Sequence, residues 1–590
     1  MRFFRWMFII IGAVTTFAIL GGLIVALVFF ARSPEVPDRT VLRLDLDRPL
    51  VEHLPESPFA FLSLGDRGVS LRDVVTAIER AATDDRVLGL VARVGSSGMG
   101  LATVQEVREA LKVFREAGKP TFVHAESFGE FSAGNGAYYL AAGFENIYLQ
   151  PSGNVGLTGL LAQSLFLKGA LEKLDIVARL DHREEYKGIK DIFTEDRFTA
   201  PQREAVTRVL ESLSDQMIQG IGAGRGLSAT TIRSLMQRAP LSAPEALQAK
   251  LVDELLYRDQ VEARIKDQVG TDAEVLSLGT YLSRLNATAG DQVTVALIYG
   301  IGQIQRGRSD YSPFTESLSM GSATVARAFR AAVEDEQVQA ILFRVDSPGG
   351  SYVASDTMWR EVVRAREHGK PVIVSMGNVA GSGGYFVAAP ADKIVAQPAT
   401  ITGSIGVAAG KMVTRGLWQK LGVTWDGVSV NSNATFWSDV EDYGPEQWRR
   451  LEHLLDLIYD DFVAKVAAGR KLSKEAVLTV AKGRIWTGAD AKERGLVDEL
   501  GGYATALRMI RQVANIPVES GIALKVFPAR KSRLRMLLTR FFGGGDDESV
   551  INGLNPWRSL KDLQPLVRQF RAVLLQDAPA VLEMRPLGIR

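Results

Sequence analysis

A chain of 590 residues that is 46% hydrophobic and 23% charged has room for two to four folded cores of about 100–200 residues each, and its composition excludes general disorder. A net charge of +1 offers no overall attraction to nucleic acid, which is not expected as a partner. The absence of cysteine excludes a thiol nucleophile, a disulfide framework and a thiolate metal site. The five histidines are too scattered for an HExxH zinc motif, so neither metal nor cofactor is expected.

From the N-terminus, Met7 to Phe30 runs for 24 residues without a charge, enough for the roughly 20 residues that cross a bilayer. Arg2 and Arg5 precede it and Glu35 and Asp38 follow. The charge bias therefore predicts a cytoplasmic segment 1–6, a transmembrane helix 7–30 and everything later on the outer side, with lipid as a neighbour. The alternative, a cleaved signal peptide, has a shorter apolar region of about 7–15 residues.

The next elements repeat. IERAATDDRVLGLVARV at 78–94 matches FRAAVEDEQVQAILFRV at 329–345 at a shift of 251, and GNGAYYLAA at 134–142 matches GSGGYFVAA at 381–389 at a shift of 247. KLVDEL at 250–255 answers GLVDEL at 495–500. Within each copy the pattern predicts a helix over 72–83 or 323–334, a strand, a helix over 103–117 or 356–368, and another strand. Such alternation predicts βαβ units, a mostly parallel sheet and an α/β fold in two tandem domains, 40–285 and 292–525. Longer amphipathic helices beginning near Pro201 and Pro445 are expected to cover or join the units. Residues 526–590 form a basic tail in which ARKSRLRMLLTRFF could make an amphipathic helix and GGGDDES a linker.

The chemistry falls in Gly-rich turns after strands, where open α/β sheets carry their sites. In the second copy ILFRV leads into Asp346-Ser347-Pro348-Gly349-Gly350-Ser351, whose paired glycines can present backbone N–H groups as an oxyanion hole does, though the same run is an ordinary turn. Ser382, between Gly381 and Gly383 before an apolar helical stretch, reads equally as a nucleophile and as a helix N-cap. Comparison of the copies separates these readings. Ser382 corresponds to Asn135, which cannot act as an acyl-transfer nucleophile, whereas Lys187 in HREEYKGIKDIF corresponds to Ala434. Serine and lysine are divided between the copies, so one site built across both is expected. A lysine serving as general base must be desolvated to lose its proton near neutral pH, which predicts that Glu184 and Glu185 turn away from it. Lys190 is the runner-up base, and Lys168 is disfavoured because Arg415 is its equivalent.

The segments VDSPGGS (345–351), GNVAGSGGYFVAAPADKIVAQPATITGSIGV (377–407) and EYKGIKDIF (185–193) resemble the signal peptide peptidase A (protease IV) family, peptidase family S49, in its long form with two tandem copies. The resemblance spans roughly residues 40–525. It implies a Clp protease/crotonase-type fold and a Ser-Lys dyad: Ser382 as nucleophile, Lys187 as base and Ser404 as the hydroxyl that holds the lysine. Backbone N–H groups of Gly383 and of Gly349 or Gly350 would then receive the oxyanion. It also implies a homotetrameric endopeptidase that cleaves released signal peptides at the bacterial cytoplasmic membrane, its catalytic domains periplasmic. An acyl-CoA hydratase or isomerase on the crotonase fold, and a scaffold whose dyad has decayed, are the rival readings.

Overall fold

The computed structural model describes residue 21 and residues 35–47, 50–53, 70–95, 98–285, 292–312, 317–528, 581–583 and 588–589. In the first copy, apolar β-branched runs become strands and stretches with apolar residues three and four apart become helices. The elements used below are β1 (Thr40–Asp45), α1 (Leu71–Thr83), β2 (Val87–Arg93), α2 (Leu101–Glu116), β3 (Thr121–Ala125), α3 (Asn135–Ala141), β4 (Asn146–Leu149), β5 (Val177–His182), α4 (Ala200–Arg225), β6 (Glu254–Leu255) and β7 (Glu274–Ser277). Six strands lie parallel in the order β7-β1-β2-β3-β4-β6. Parallel neighbours need crossover helices on the sheet faces, which is why β3 is buried at every position while α1 buries only one side, including Val74, Ile78 and Ala81. The Ser70 side chain accepts from the Asp73 N–H at 3.1 Å and so starts α1.

The second copy repeats this plan with β8 (Gln292–Ile301), β9 (Gln303–Gln305), α5 (Ser322–Glu334), β10 (Val338–Ser347), β11 (Gly349–Ser351), α6 (Tyr352–Glu367), β12 (Val372–Gly381), α7 (Gly383–Ala388), β13 (Lys393–Ala396), β14 (Ile401–Gly403), β15 (Ala408–Val413), α8 (Pro445–Arg470), β16 (Ile485–Thr487), β17 (Glu499–Leu500), α9 (Tyr503–Val513) and β18 (Gly521–Phe527). Its sheet runs β16-β14-β12-β10-β8-β18, with β13 beside β12 and β17 beside β13; every pairing is parallel except β14 with β16. Each sheet has its own apolar core, one around Leu90, Val107 and Tyr138, the other around Phe343, Met358 and Tyr385.

The two copies are tied by shared structure. β5 leaves the first copy's sheet and pairs antiparallel with β15, from Val177 opposite Val413 to His182 opposite Ala408. This belongs to a third sheet containing the path β9-β11-β19-β15-β5, where β19 (Val581–Glu583) comes from the tail and runs antiparallel to β11. The long helix α4 reaches the second copy as expected, with Ser212 Oγ 2.9 Å from Thr487 Oγ1 and Arg208 paired with Asp490 at 2.6 Å.

The expected single-pass location in the bacterial cytoplasmic membrane is corrected: no helix among the described residues is long and apolar enough to cross a membrane. Apart from Gly21, residues 7–30, which carried that expectation, lie outside the described residues, as do the amphipathic stretch from residue 529 onward and the 543–549 linker.

Candidate active site

Strand β12 ends at Gly381 and helix α7 begins at Gly383, so Ser382 makes the whole turn between them. Its backbone sits at φ 55°, ψ −114°, a region that a residue with a Cβ enters only when its surroundings hold it there. The holding groups are visible: its N–H donates to the Gly403 carbonyl at 2.8 Å, and its carbonyl accepts from Phe386 in the first turn of α7. The side chain is fully buried. Gly383 occupies the first position of α7, where a backbone N–H has no acceptor within the helix.

Lys187 arrives from the other copy. After β5, Arg183 N–H bonds the Val407 carbonyl at 3.0 Å, Glu184 turns the chain at φ 69°, and Tyr186 N–H bonds the Lys482 carbonyl at 3.1 Å. The strand pairing of β5 with β15 therefore continues into a turn that delivers Lys187, 1% exposed, to the second copy. Its Nζ lies 2.7 Å from Ser382 Oγ, 3.0 Å from the Ser404 carbonyl oxygen and 3.1 Å from Ser404 Oγ. All three are uncharged oxygens. A cavity of about 30 Å³ beside it, lined by Tyr186, Gln202, Val206 and Ile485 among others, has room for about one water.

Glu185 does turn outward, where it meets Lys482 at 3.1 Å. Lys190 sits at the start of the short helix Asp191–Thr194, and Lys168 begins the helix Lys168–Lys173; among the described hydrogen bonds, the lysine at Ser382 Oγ is Lys187. Ser404 is buried, at φ 52°. Gly349 and Gly350 lie in β11 at φ 104° and 150°. The Gly349 N–H points to Ser347 Oγ at 3.2 Å, and a Cβ on Gly350 would stand 2.1 Å from the Ile304 carbonyl oxygen, so that position admits only glycine.

Sequence reasoning missed Gly483. A Cβ there would lie 2.5 Å from the Lys187 backbone nitrogen, so any larger residue would push the lysine away. The only local signal was one glycine in AKGRIW, which reads as a turn. The corresponding site in the first copy is dismantled. Asn135 is helical, and its side chain is clamped to one backbone residue, donating from Nδ2 to the Gly159 carbonyl at 2.8 Å and accepting at Oδ1 from the Gly159 N–H at 3.1 Å. Leu157, the equivalent of Ser404, is buried in apolar core, and Ala434, the equivalent of Lys187, is exposed in a turn.

Comparison with known proteins points to a peptidase family. The model for peptidase family S49 matches residues 113–272 and 364–517. "Protease 4" of Salmonella typhi is 33% identical over 459 residues, 76% of this chain and 72% of that protein. "Protease 4" of Haemophilus influenzae is 30% identical over 523 residues, 84% of this chain and 83% of that one. Among solved structures, a ClpP1 mutant from Listeria monocytogenes covers 36% of this chain and 94% of its own at 14% identity and a TM-score of 0.22. With two matched regions spanning more than half of its length and relatives covered over more than two thirds of theirs, the chain belongs to peptidase family S49 and is a serine protease.

Proposed function

We propose that the chain is a serine endopeptidase working through a Ser382–Lys187 dyad, one site per chain, shared between the units 40–285 and 292–525. The observation that carries this reading is the 2.7 Å approach of a buried lysine amine to the hydroxyl of a serine held in a strained strand-to-helix turn. Burial disfavours a charged amine, so the neutral form is the one able to accept a proton.

In the proposed reaction the Lys187 amine takes the Ser382 proton as Oγ attacks the scissile carbonyl carbon. Negative charge on the carbonyl oxygen is received by the Gly383 N–H together with that of Gly349 or Gly350. The C–N bond then breaks as the Lys187 ammonium returns its proton to the leaving amine, and an acyl ester remains on Ser382. Water, deprotonated by the same amine, releases the acid and regenerates the hydroxyl. Ser404 orients the amine throughout.

An extended peptide substrate is supported by β19, which occupies the space between β11 and β15 as an antiparallel strand beside the glycine turn. Released signal peptides, a Clp protease/crotonase-type fold for each unit and a homotetrameric assembly are carried over from the family resemblance. Hydrolysis of casein and of a lipopeptide by the purified full chain tests the reading. Ser382→Ala and Lys187→Ala should each lower kcat by about 10⁴-fold or more with folding unchanged. Full hydrolysis by either variant would exclude the dyad, and coenzyme A binding without hydrolysis would favour the hydratase reading.

A further inference from the structure

The turn that carries Ser382 and the turn that carries the paired glycines grow from neighbouring strands, and one carboxyl stands between them. Along β10 and β12 the parallel register runs from Ile341 opposite Val372 to Val345 opposite Met376, then slips and resumes with Ser347 opposite Ala380. Residues 377–379 therefore bulge opposite the single residue Asp346. A bulge re-aims the chain that follows it, and here Ser382 follows on one strand and Pro348-Gly349-Gly350 on the other.

The partly buried Asp346 side chain fills this bulge. Its Oδ1 accepts the Val379 N–H at 2.9 Å, where a regular ladder would offer a backbone carbonyl. Gly377 makes room for it, since a Cβ there would stand 2.9 Å from Cβ and Cγ of Asp346. Asn378, next in the bulge, is clamped by the first copy: its Oδ1 accepts the Thr103 N–H at 3.1 Å and its Nδ2 donates to Thr103 Oγ1 at 2.8 Å. On the other strand the Asp346 carbonyl accepts the Gly302 N–H at 2.9 Å, and Ser347 Oγ donates to the Gly302 carbonyl at 2.6 Å. The charged groups beside Asp346 are Glu52 and Arg344, and the described hydrogen bonds of the Arg344 side chain go to Glu52, Glu106 and Ser375. Burial, with the Glu52 carboxylate nearby, pushes the Asp346 carboxyl up from 3.8 to about 7. Its part in the bulge is that of an acceptor, which a neutral acid still is, and not that of a counter-ion.

The first copy supplies the control. Asp346 corresponds to Gly95 at the shift of 251. There the pairing of β2 with β3 ends at Arg93 opposite His124, the loop turns on itself with the Ser132 N–H on the Gly129 carbonyl at 3.2 Å, and Asn135 begins α3 as a helical residue. The carboxyl, the continued ladder and the strained turn are lost together.

We propose that, given the Ser382–Lys187 dyad on which this role rests, Asp346 is a positioning residue: by holding the Val379 N–H it fixes the bulge, and so the separation between Ser382 Oγ and the backbone donors of the Gly349-Gly350 turn. Steady-state cleavage of a fluorogenic peptide by the full chain separates this role from a purely structural one. Asp346→Ala should lower kcat by about 100-fold with KM within about twofold, because a displacement of about 1 Å penalises the reaction and not peptide binding. Asp346→Asn, which keeps a neutral acceptor of the same shape, should restore kcat to at least about a third of that of the unaltered chain. Gly377→Ala keeps the carboxyl but crowds it out of the bulge, and should lower kcat by about tenfold or more. This variant decides the matter where Asp346→Ala does not fold. Unaltered kcat in folded Asp346→Ala or in Gly377→Ala, an Asn variant as slow as the Ala one, or a loss confined to KM would each overturn the role. Ser382→Ala in the same assay tells two failures apart. If it abolishes cleavage while Asp346→Ala leaves kcat intact, only the positioning role falls; if it cleaves normally, the dyad falls and the role of Asp346 with it.

Discussion

In the proposed mechanism a neutral Lys187 amine would have two N–H bonds to donate and one lone pair with which to accept the Ser382 proton. The carbonyl oxygen and the hydroxyl of Ser404, at 3.0 and 3.1 Å, would take the two N–H donors, leaving the lone pair for the Ser382 hydroxyl 2.7 Å away. Ser404→Ala removes one acceptor and leaves the other. The expected result is a kcat lower by about 10- to 100-fold with KM nearly unchanged, because the orientation of the base matters in the transition state rather than in binding. Steady-state kinetics on a fluorogenic peptide measures this, and an unaltered kcat would remove Ser404 from the proposed mechanism. The identities of these residues were legible because the repeat supplied its own comparison: a serine against Asn135, a lysine against Ala434. The geometry that brings them together was not. The need for glycine at 483 arises from contact with Lys187, far away in sequence, and the positive φ of Ser382 is held by a bond to Gly403 on the neighbouring strand.

Among the elements, the βαβ alternation was readable because each strand and helix follows a local period. α1, expected over 72–83, spans Leu71–Thr83, and the run AILFRV lies within β10. The crossing of β5 was not readable: VARLDH carries no mark saying which sheet it joins, and its register is set by Ala408–Val413, more than two hundred residues later. α1 also carries a half-buried carboxyl that local pattern would send to the surface. Glu79 has its carboxyl pushed up from 4.5 to about 7 by burial, with further contributions from Glu109 and Glu106. Since the folded-state value exceeds the unfolded one, the native state keeps a proton that the unfolded chain has lost between about pH 4.5 and 7. Its contribution is therefore fully present below pH 4.5 and is lost as pH rises through 7. Glu79→Gln should abolish this part of the slope and stabilise the protein above pH 7 by at most ~3 kcal/mol. Urea unfolding of both proteins across pH 4–8 measures the difference, and parallel stability profiles would contradict it.

At the level of the whole molecule, the two copies share more than the lysine. Arg344, 1% exposed in β10, donates to both carboxylate oxygens of Glu52 at 2.9 and 2.6 Å, to Glu106 at 2.8 Å and to Ser375 Oγ at 2.7 Å. Glu52 and Glu106 belong to the first copy, and Glu106 also accepts the Tyr503 N–H at the start of α9 in the second. Removing one partner from a buried cluster of this kind leaves an uncompensated charge and costs about 3–5 kcal/mol. Separation of the copies would strand Arg344 on one side and two carboxylates on the other, while β15 would lose β5 along its whole length. Neither half should then be a stable independent domain with half of the activity. When the chain is divided between residues 286 and 291, each half expressed alone should show no hydrolysis of casein. Co-expressed halves should recover a substantial share of it, because the β5–β15 pairing and the Arg344 cluster need no peptide bond between the copies to form. A companion pair with Lys187→Ala in the first half should assemble, judged by co-purification, and stay inactive. Hydrolysis by the isolated 292–590 half would contradict both the division of the site and the energetic dependence of one copy on the other.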